Sequence, residues 1–193
     1  MNKIFLSAND LLYDSYRLAQ QVYESGFRPN FIIGVWRGGA PVGIAVQEFL
    51  EYVGVPSDHI AIRTSSYRGI EQQEKVVRVH GLQYIIENVN AEDEVLLVDD
   101  VFDTGRSLRA TLAELREKCR RNLPSTIRIA CPWFKPNKNV TDIKPDFYVH
   151  ETDDWLVFPH ELKGLSLDEI CAGKGHIADP LAAVLRDRDR STG

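Results

Sequence analysis

Glu94 to Leu108, EVLLVDDVFDTGRSL, is the stretch that decides the fold. It opens on the apolar run Val95-Leu96-Leu97-Val98, short and continuous like a buried strand. Two carboxylates follow, Asp99 and Asp100, then Val101-Phe102, then Asp103-Thr104-Gly105-Arg106-Ser107. Beyond that, Leu108, Leu112, Ala113 and Leu115 recur at helical spacing towards an end near Arg121. A strand that ends in acids and turns through small residues into a helix is where an open α/β sheet holds its ligand. The loop N–H groups and the helix N-terminus favour an anion such as phosphate. The carboxylates suit sugar hydroxyls or Mg²⁺. A phosphorylated sugar with Mg²⁺ uses all of these groups. Adjacent strand residues point to opposite faces, so Asp99 and Asp100 reach one sugar only if the strand bends between them.

Working outward, Phe31-Ile32-Ile33-Gly34-Val35-Trp36 reads as a second buried strand. Arg37-Gly38-Gly39-Ala40-Pro41 follows, and Val42 to Tyr52 reads as a helix with Pro41 near its first position. Gly38-Gly39 permits close backbone approach to a ligand, and Arg37 supplies a fork of donors. Before this unit, Ser7 caps a helix with Asp10 at its third position, and Gly26 stops it. Lys3-Ile4-Phe5 is a strand candidate. Between the two strand–loop–helix units, His59 to Arg63 and Val76 to Val79 have a β pattern and flank a polar loop, which suggests a hairpin or an excursion from the sheet, its loop either able to close over a ligand or simply solvated. Gly81 to Asn88 is a short helix. Thr126 to Cys131 is a further strand, Pro132 to Pro136 an aromatic turn carrying Lys135, and Asp146 to Val149 a short strand. Trp155 and Phe158 read as core residues, the usual fate of aromatics, or as a wall for a planar base. Residues 186–193 alternate charge without apolar anchors and are expected to fray.

Composition narrows the class. The 193 residues carry 44% hydrophobic and 26% charged side chains, as one globular domain does. No apolar run approaches a membrane span or a signal peptide, so a cytoplasmic location is expected. Cys119, Cys131 and Cys171 fit neither a disulfide framework nor a zinc spacing. A net charge of −5 argues against a broad nucleic-acid surface. No G-x-G-x-x-G follows a strand, which disfavours a dinucleotide-binding dehydrogenase.

Alternating strands and helices predict an α/β fold, a mostly parallel sheet flanked by helices. Val95 to Ser107 then resembles the phosphoribosyl-pyrophosphate (PRPP) motif of type I phosphoribosyltransferases: apolar run, two acids, two apolar residues, Asp/Glu-Thr-Gly-x-Thr/Ser. Trp36-Arg37-Gly38-Gly39 resembles the family's pyrophosphate loop, and Ser66-Tyr67 the pair in the flexible loop of its purine enzymes. Phe134-Lys135-Pro136 and Trp155-Leu156 resemble the base-binding lysine and stacking aromatic of the bacterial xanthine–guanine and hypoxanthine enzymes. The resemblance covers roughly residues 30–160. It implies a single domain over 1–193 with base-binding hood elements at about 132–165, and transfer of phosphoribosyl from PRPP to a 6-oxopurine in purine salvage.

The same resemblance implies the site roles. Asp99 and Asp100 hold the ribose and, through PRPP, Mg²⁺. Asp103, Thr104, Gly105, Arg106 and Ser107 hold the 5′-phosphate, with Asp103 also the general base or, alternatively, the cap of the helix that follows. Arg37 and Gly38 meet pyrophosphate, Lys135 the purine O6, Trp155 the ring, and the main chain near Leu156 the 2-position. A homo-oligomer, dimer or tetramer, is expected. Arg106 stands where the xanthine–guanine enzymes often have Gly, and Phe158-Pro159-His160 replaces their Pro-Trp ending, so the choice among guanine, xanthine and hypoxanthine stays open. Two alternatives remain, a non-catalytic PRPP-sensing module and a phosphoribosyltransferase for another base.

Overall fold

The computed structural model describes residues 3–68 and 75–191. The chain divides into two compact units, Leu12–Asp153 and a second formed by Met1–Leu11 with Asp154–Gly193. β1 (Lys3–Phe5) pairs in parallel with β9 (Trp155–Val157), so the chain's two ends form one small sheet. That pairing spans about 150 positions and leaves no local signal.

Helix α1 (Ala8–Glu24) starts as expected: Ser7 Oγ accepts from the Asp10 N–H at 3.1 Å and Asp10 Oδ2 from the Ser7 N–H at 3.1 Å. It stops at Gly26, whose φ of +81° suits glycine. The larger unit is built on β2 (Phe31–Trp36), β3 (Asp58–Arg68), β4 (Lys75–His80), β5 (Glu94–Val98), β6 (Val101–Phe102), β7 (Thr126–Phe134) and β8 (Phe147–Glu151). Hydrogen bonding runs in the order β4-β3-β2-β5-β7, and β6 and β8 also pair with β7. Every pairing is parallel except β3 with β4, the expected hairpin. The loop that would close over a ligand, residues 69–74, lies outside the described residues.

Helices α2 (Gly39–Tyr52), α3 (Gln83–Asn88) and α4 (Arg106–Cys119) cover the sheet. Ile33, Val35, Val95, Leu97 and Ile129 pack with Ile85, Leu108, Leu112 and Leu115 of α3 and α4. Their neighbours Ile32, Leu96 and Val98, also fully buried, point to the opposite face, where α2 lies against β2, β3 and β5. A sheet buried on both faces explains why its strands are continuous apolar runs rather than alternating ones. Among the described residues no helix is long and apolar enough to cross a membrane.

Two elements differ from expectation. The aromatic segment Pro132-Trp133-Phe134 is the end of β7, not a turn. Pro132 is tolerated because it falls opposite the interruption between β5 and β6, where no ladder bond is required of it. The tail expected to fray is the end of α6 (Asp179–Ser191) as far as Ser191. Once the first turns of a helix exist, each added residue costs little. In the smaller unit, α5 (Leu167–Lys174) starts on a capping box between Ser166 and Glu169. Gly173 lies so close to the Phe5 ring that a methyl there would come within 2.2 Å of it.

Candidate active site

β5 and β6 are one strand interrupted at Asp99-Asp100. Val98 pairs with Ala130 and Val101 with Trp133, three residues on in both strands, so the register is unbroken. The chain bends at Asp100. The Asp100 N–H donates to Asp99 Oδ1 at 3.0 Å. Burial first, and then the negative charge of Asp100, hold the Asp99 carboxyl well above the usual carboxylate range. Asp100 is itself buried, at 9% exposure. No cluster of three metal-ligating side chains occurs among the described residues.

The glycine loop sits directly on this pair. A methyl on Gly38 would stand 1.6 Å from Asp100 Oδ2, and one on Gly39 2.4 Å from the Val98 carbonyl oxygen. Only glycine fits at either position. Gly38 precedes α2 without a side-chain cap, so the first N–H groups of this helix have no capping side chain. The helix begins at Gly39, earlier than Val42, because the loop itself supplies its first turn. Arg37 is exposed at the loop's edge, and the Trp36–Arg37 peptide is cis.

The second loop is equally constrained. Gly105 has φ +75° and precedes α4, again without a side-chain cap. A methyl there would come within 2.4 Å of Thr141 Oγ1 and 2.8 Å of the Phe102 ring. The Val140 N–H donates to the Thr104 carbonyl at 3.2 Å, and Asn139 Oδ1 accepts from Thr141 N–H and Oγ–H at 2.9 and 2.8 Å. Segment 139–141 therefore braces the loop from outside. The Ser107 hydroxyl lies 3.4 Å from that of Thr64 on β3, and Arg106 points outward. Asp99, Phe102, Asp103, Thr104, Gly105 and Ser107 line a pocket.

Asp103 does not cap α4. Its Oδ2 lies 3.6 Å from Lys135 Nζ, and Lys135 is buried at 9% exposure while the Asp103 side chain is 47% exposed. The Lys135 N–H donates to the Phe102 carbonyl at 2.9 Å, which fixes the end of β7 beside the acidic loop. Phe134 meets Phe102 edge-on with centroids 5.5 Å apart.

Arg37, Gly38, Asp99, Asp100, Asp103 to Ser107 and Lys135 all belong to the larger unit. Ser66 and Tyr67 pair through their main chains with Val77 and Val76, and their side chains lie outside the described residues. Trp155 and Leu156 belong to the smaller unit: Trp155 is 48% exposed, with Lys3 Nζ 5.8 Å from its ring centroid, and Leu156 is buried. Thr64, Asn139 and Thr141 are the site's unforeseen members. Only Asn139-x-Thr141 carried a local signal, an Asn side chain able to bond two residues on.

The family model of the phosphoribosyl transferase domain matches residues 3–166, and the chain belongs to that family. The hypoxanthine-guanine phosphoribosyltransferase of Streptococcus pyogenes serotype M3 is 28% identical over 148 residues, 76% of this chain and 77% of that protein. A bifunctional protein PyrR of Corynebacterium diphtheriae is 28% identical over 132 residues, 65% and 67% of the two chains. The crystal structure of a purine phosphoribosyltransferase from Pyrococcus horikoshii superposes with a TM-score of 0.66 at 28% identity, over 86% of this chain and 99% of that one.

Proposed function

We propose that this protein transfers 5-phosphoribosyl from PRPP to a 6-oxopurine, hypoxanthine, guanine or xanthine, giving the nucleoside 5′-monophosphate and pyrophosphate. The observation that carries this reading is the buried Lys135 ammonium 3.6 Å from the half-exposed Asp103 carboxylate. A 6-oxopurine presents O6 and N7 on one edge. A cation and a base side by side answer both: Lys135 donates to O6 while Asp103 takes the N7 proton. As the N9–C1′ bond forms, the C1′–O bond breaks and pyrophosphate leaves with its electron pair.

The remaining residues divide the cofactor-free work. Asp99 and Asp100 accept from the ribose hydroxyls. Backbone N–H groups of 104–107 and the Ser107 hydroxyl receive the 5′-phosphate, and the Gly38-Gly39 amides with Arg37 receive pyrophosphate. Asp99 and Asp100 also suit Mg²⁺: they are hard oxygen donors, and the upward push of one by the other's charge is a conflict that a cation relieves. When bound, Mg²⁺ supplies positive charge to the leaving group. Trp155 stacks on the base and the main chain near Leu156 meets its 2-position. The protein acts in the cytoplasm as a dimer or tetramer, which sedimentation velocity reads directly.

Competition binding tests the base assignment. Guanine, hypoxanthine or xanthine should displace a fluorescent purine nucleotide, and adenine should fail, because it presents an amino donor to Lys135. Adenine displacing the probe best would end the Lys135 assignment. The alternative reading is a site that senses PRPP without turnover. PRPP binding without product for any base would select it.

A further inference from the structure

Gly34 and Gly43 are glycines in unfavourable places. One interrupts the buried strand β2 and the other the interior of α2, where alanine would favour the helix by about 1 kcal/mol. Both face the same side chain, His59 on β3. A methyl at Gly43 would stand 2.8 Å from His59 Nε2, and one at Gly34 3.2 Å from the same atom. The imidazole thus fills a slot that two absent side chains leave open.

The ring is fixed in that slot. Gln47 Nε2 donates to the Ser57 carbonyl at 2.8 Å, which leaves Gln47 Oε1 to accept. Oε1 lies 3.2 Å from His59 Nδ1, so Nδ1 carries the proton. Burial lowers the pKa of His59 against the opposing charge of Asp58, which favours the neutral ring.

The slot borders the glycine loop. The same methyl at Gly34 would be 3.1 Å from the Gly39 carbonyl oxygen and 3.4 Å from the Ala40 Cα. On its other side the loop meets Asp100 Oδ2 and the Val98 carbonyl at Gly38 and Gly39. The first turn of α2 is therefore held between Gly34, backed by His59, where a methyl would be tight, and the acidic pair, where it would not fit.

We propose that His59 is a positioning residue that sets how deeply the Gly38-Gly39 loop seats against Asp99 and Asp100, and so tunes PRPP affinity without touching substrate. The inference rests on the reading of that loop as the pyrophosphate contact. Its readout is the KM for PRPP set against kcat and the KM for the base.

Steady-state kinetics and calorimetric titration with Mg²⁺-PRPP test it. His59→Ala should raise the PRPP KM on the order of tenfold, since small misplacements of binding groups are costly. The kcat and the base KM should stay within about twofold, the pattern of lost ground-state binding. His59→Gln, which refills the slot and keeps a donor for Gln47, should restore most of the affinity. Gly43→Ala should raise the PRPP KM although it favours the helix, and adding His59→Ala to it should recover affinity by making room for the methyl. An unchanged PRPP KM in folded His59→Ala and Gly43→Ala proteins overturns the inference. So does a parallel fall of every kinetic constant with melting temperature. If His59→Ala does not fold, Gly43→Ala decides alone. Wild-type protein that fails to bind Mg²⁺-PRPP overturns the loop reading, and the inference with it.

Discussion

Asp103, the proposed general base, lies 3.6 Å from Lys135, 32 positions along the chain. General-base catalysis contributes roughly 10²–10⁴ in rate, so Asp103→Asn should lower kcat by that order while the circular-dichroism melt stays put. Unchanged turnover would remove the role. Gly105 is a different case, fixed by both its φ of +75° and its closeness to Thr141 and Phe102. Gly105→Ala should cost about 1–3 kcal/mol in urea unfolding. His59 gives a pH dependence. Its pKa is lowered in the folded state, so the unfolded chain binds more protons as pH falls below the ordinary His value of 6.5. Its contribution is intact above that pH and is lost below it. His59→Gln should flatten that segment of a stability–pH curve. Of these residues, Asp103 and Gly105 were legible because their motif is contiguous. His59 was not, because its significance lies in glycines that are separate from it in sequence and meet it only across β2 and α2.

At the scale of elements, the β5–loop–α4 unit was legible because its apolar pattern changes from continuous to helical within a few residues. The extent of β7 was not: Pro132 reads as a strand breaker, and only the β5–β6 interruption opposite it makes it harmless. That interruption is also where function conflicts with stability. Asp99 is half-buried beside Asp100, and its pKa is raised. A raised carboxylate pKa removes stability as pH rises above the ordinary value of 3.8. Asp99→Asn should therefore raise the melting temperature of the ligand-free protein at neutral pH and lower PRPP turnover. No gain in melting temperature would show that the pair is not in conflict.

For the whole molecule, the parallel sheet covered on both faces follows from its strand–helix alternation and fully apolar strands. The division into Leu12–Asp153 and a unit made of both chain ends does not, because the β1–β9 pairing leaves no periodicity to read. Of the residues proposed for the base, Lys135 belongs to the larger unit, and Trp155 and Leu156 to the smaller. The residues proposed for PRPP all lie in the larger unit and in contiguous motifs, which is why local sequence points to them most directly. The most direct test is an initial-rate assay with PRPP, Mg²⁺ and each of hypoxanthine, guanine, xanthine, adenine and orotate in turn. The account predicts nucleoside 5′-monophosphate and pyrophosphate from at least one 6-oxopurine and none from adenine or orotate. Product from adenine or orotate in preference, or no product from any base, would contradict it.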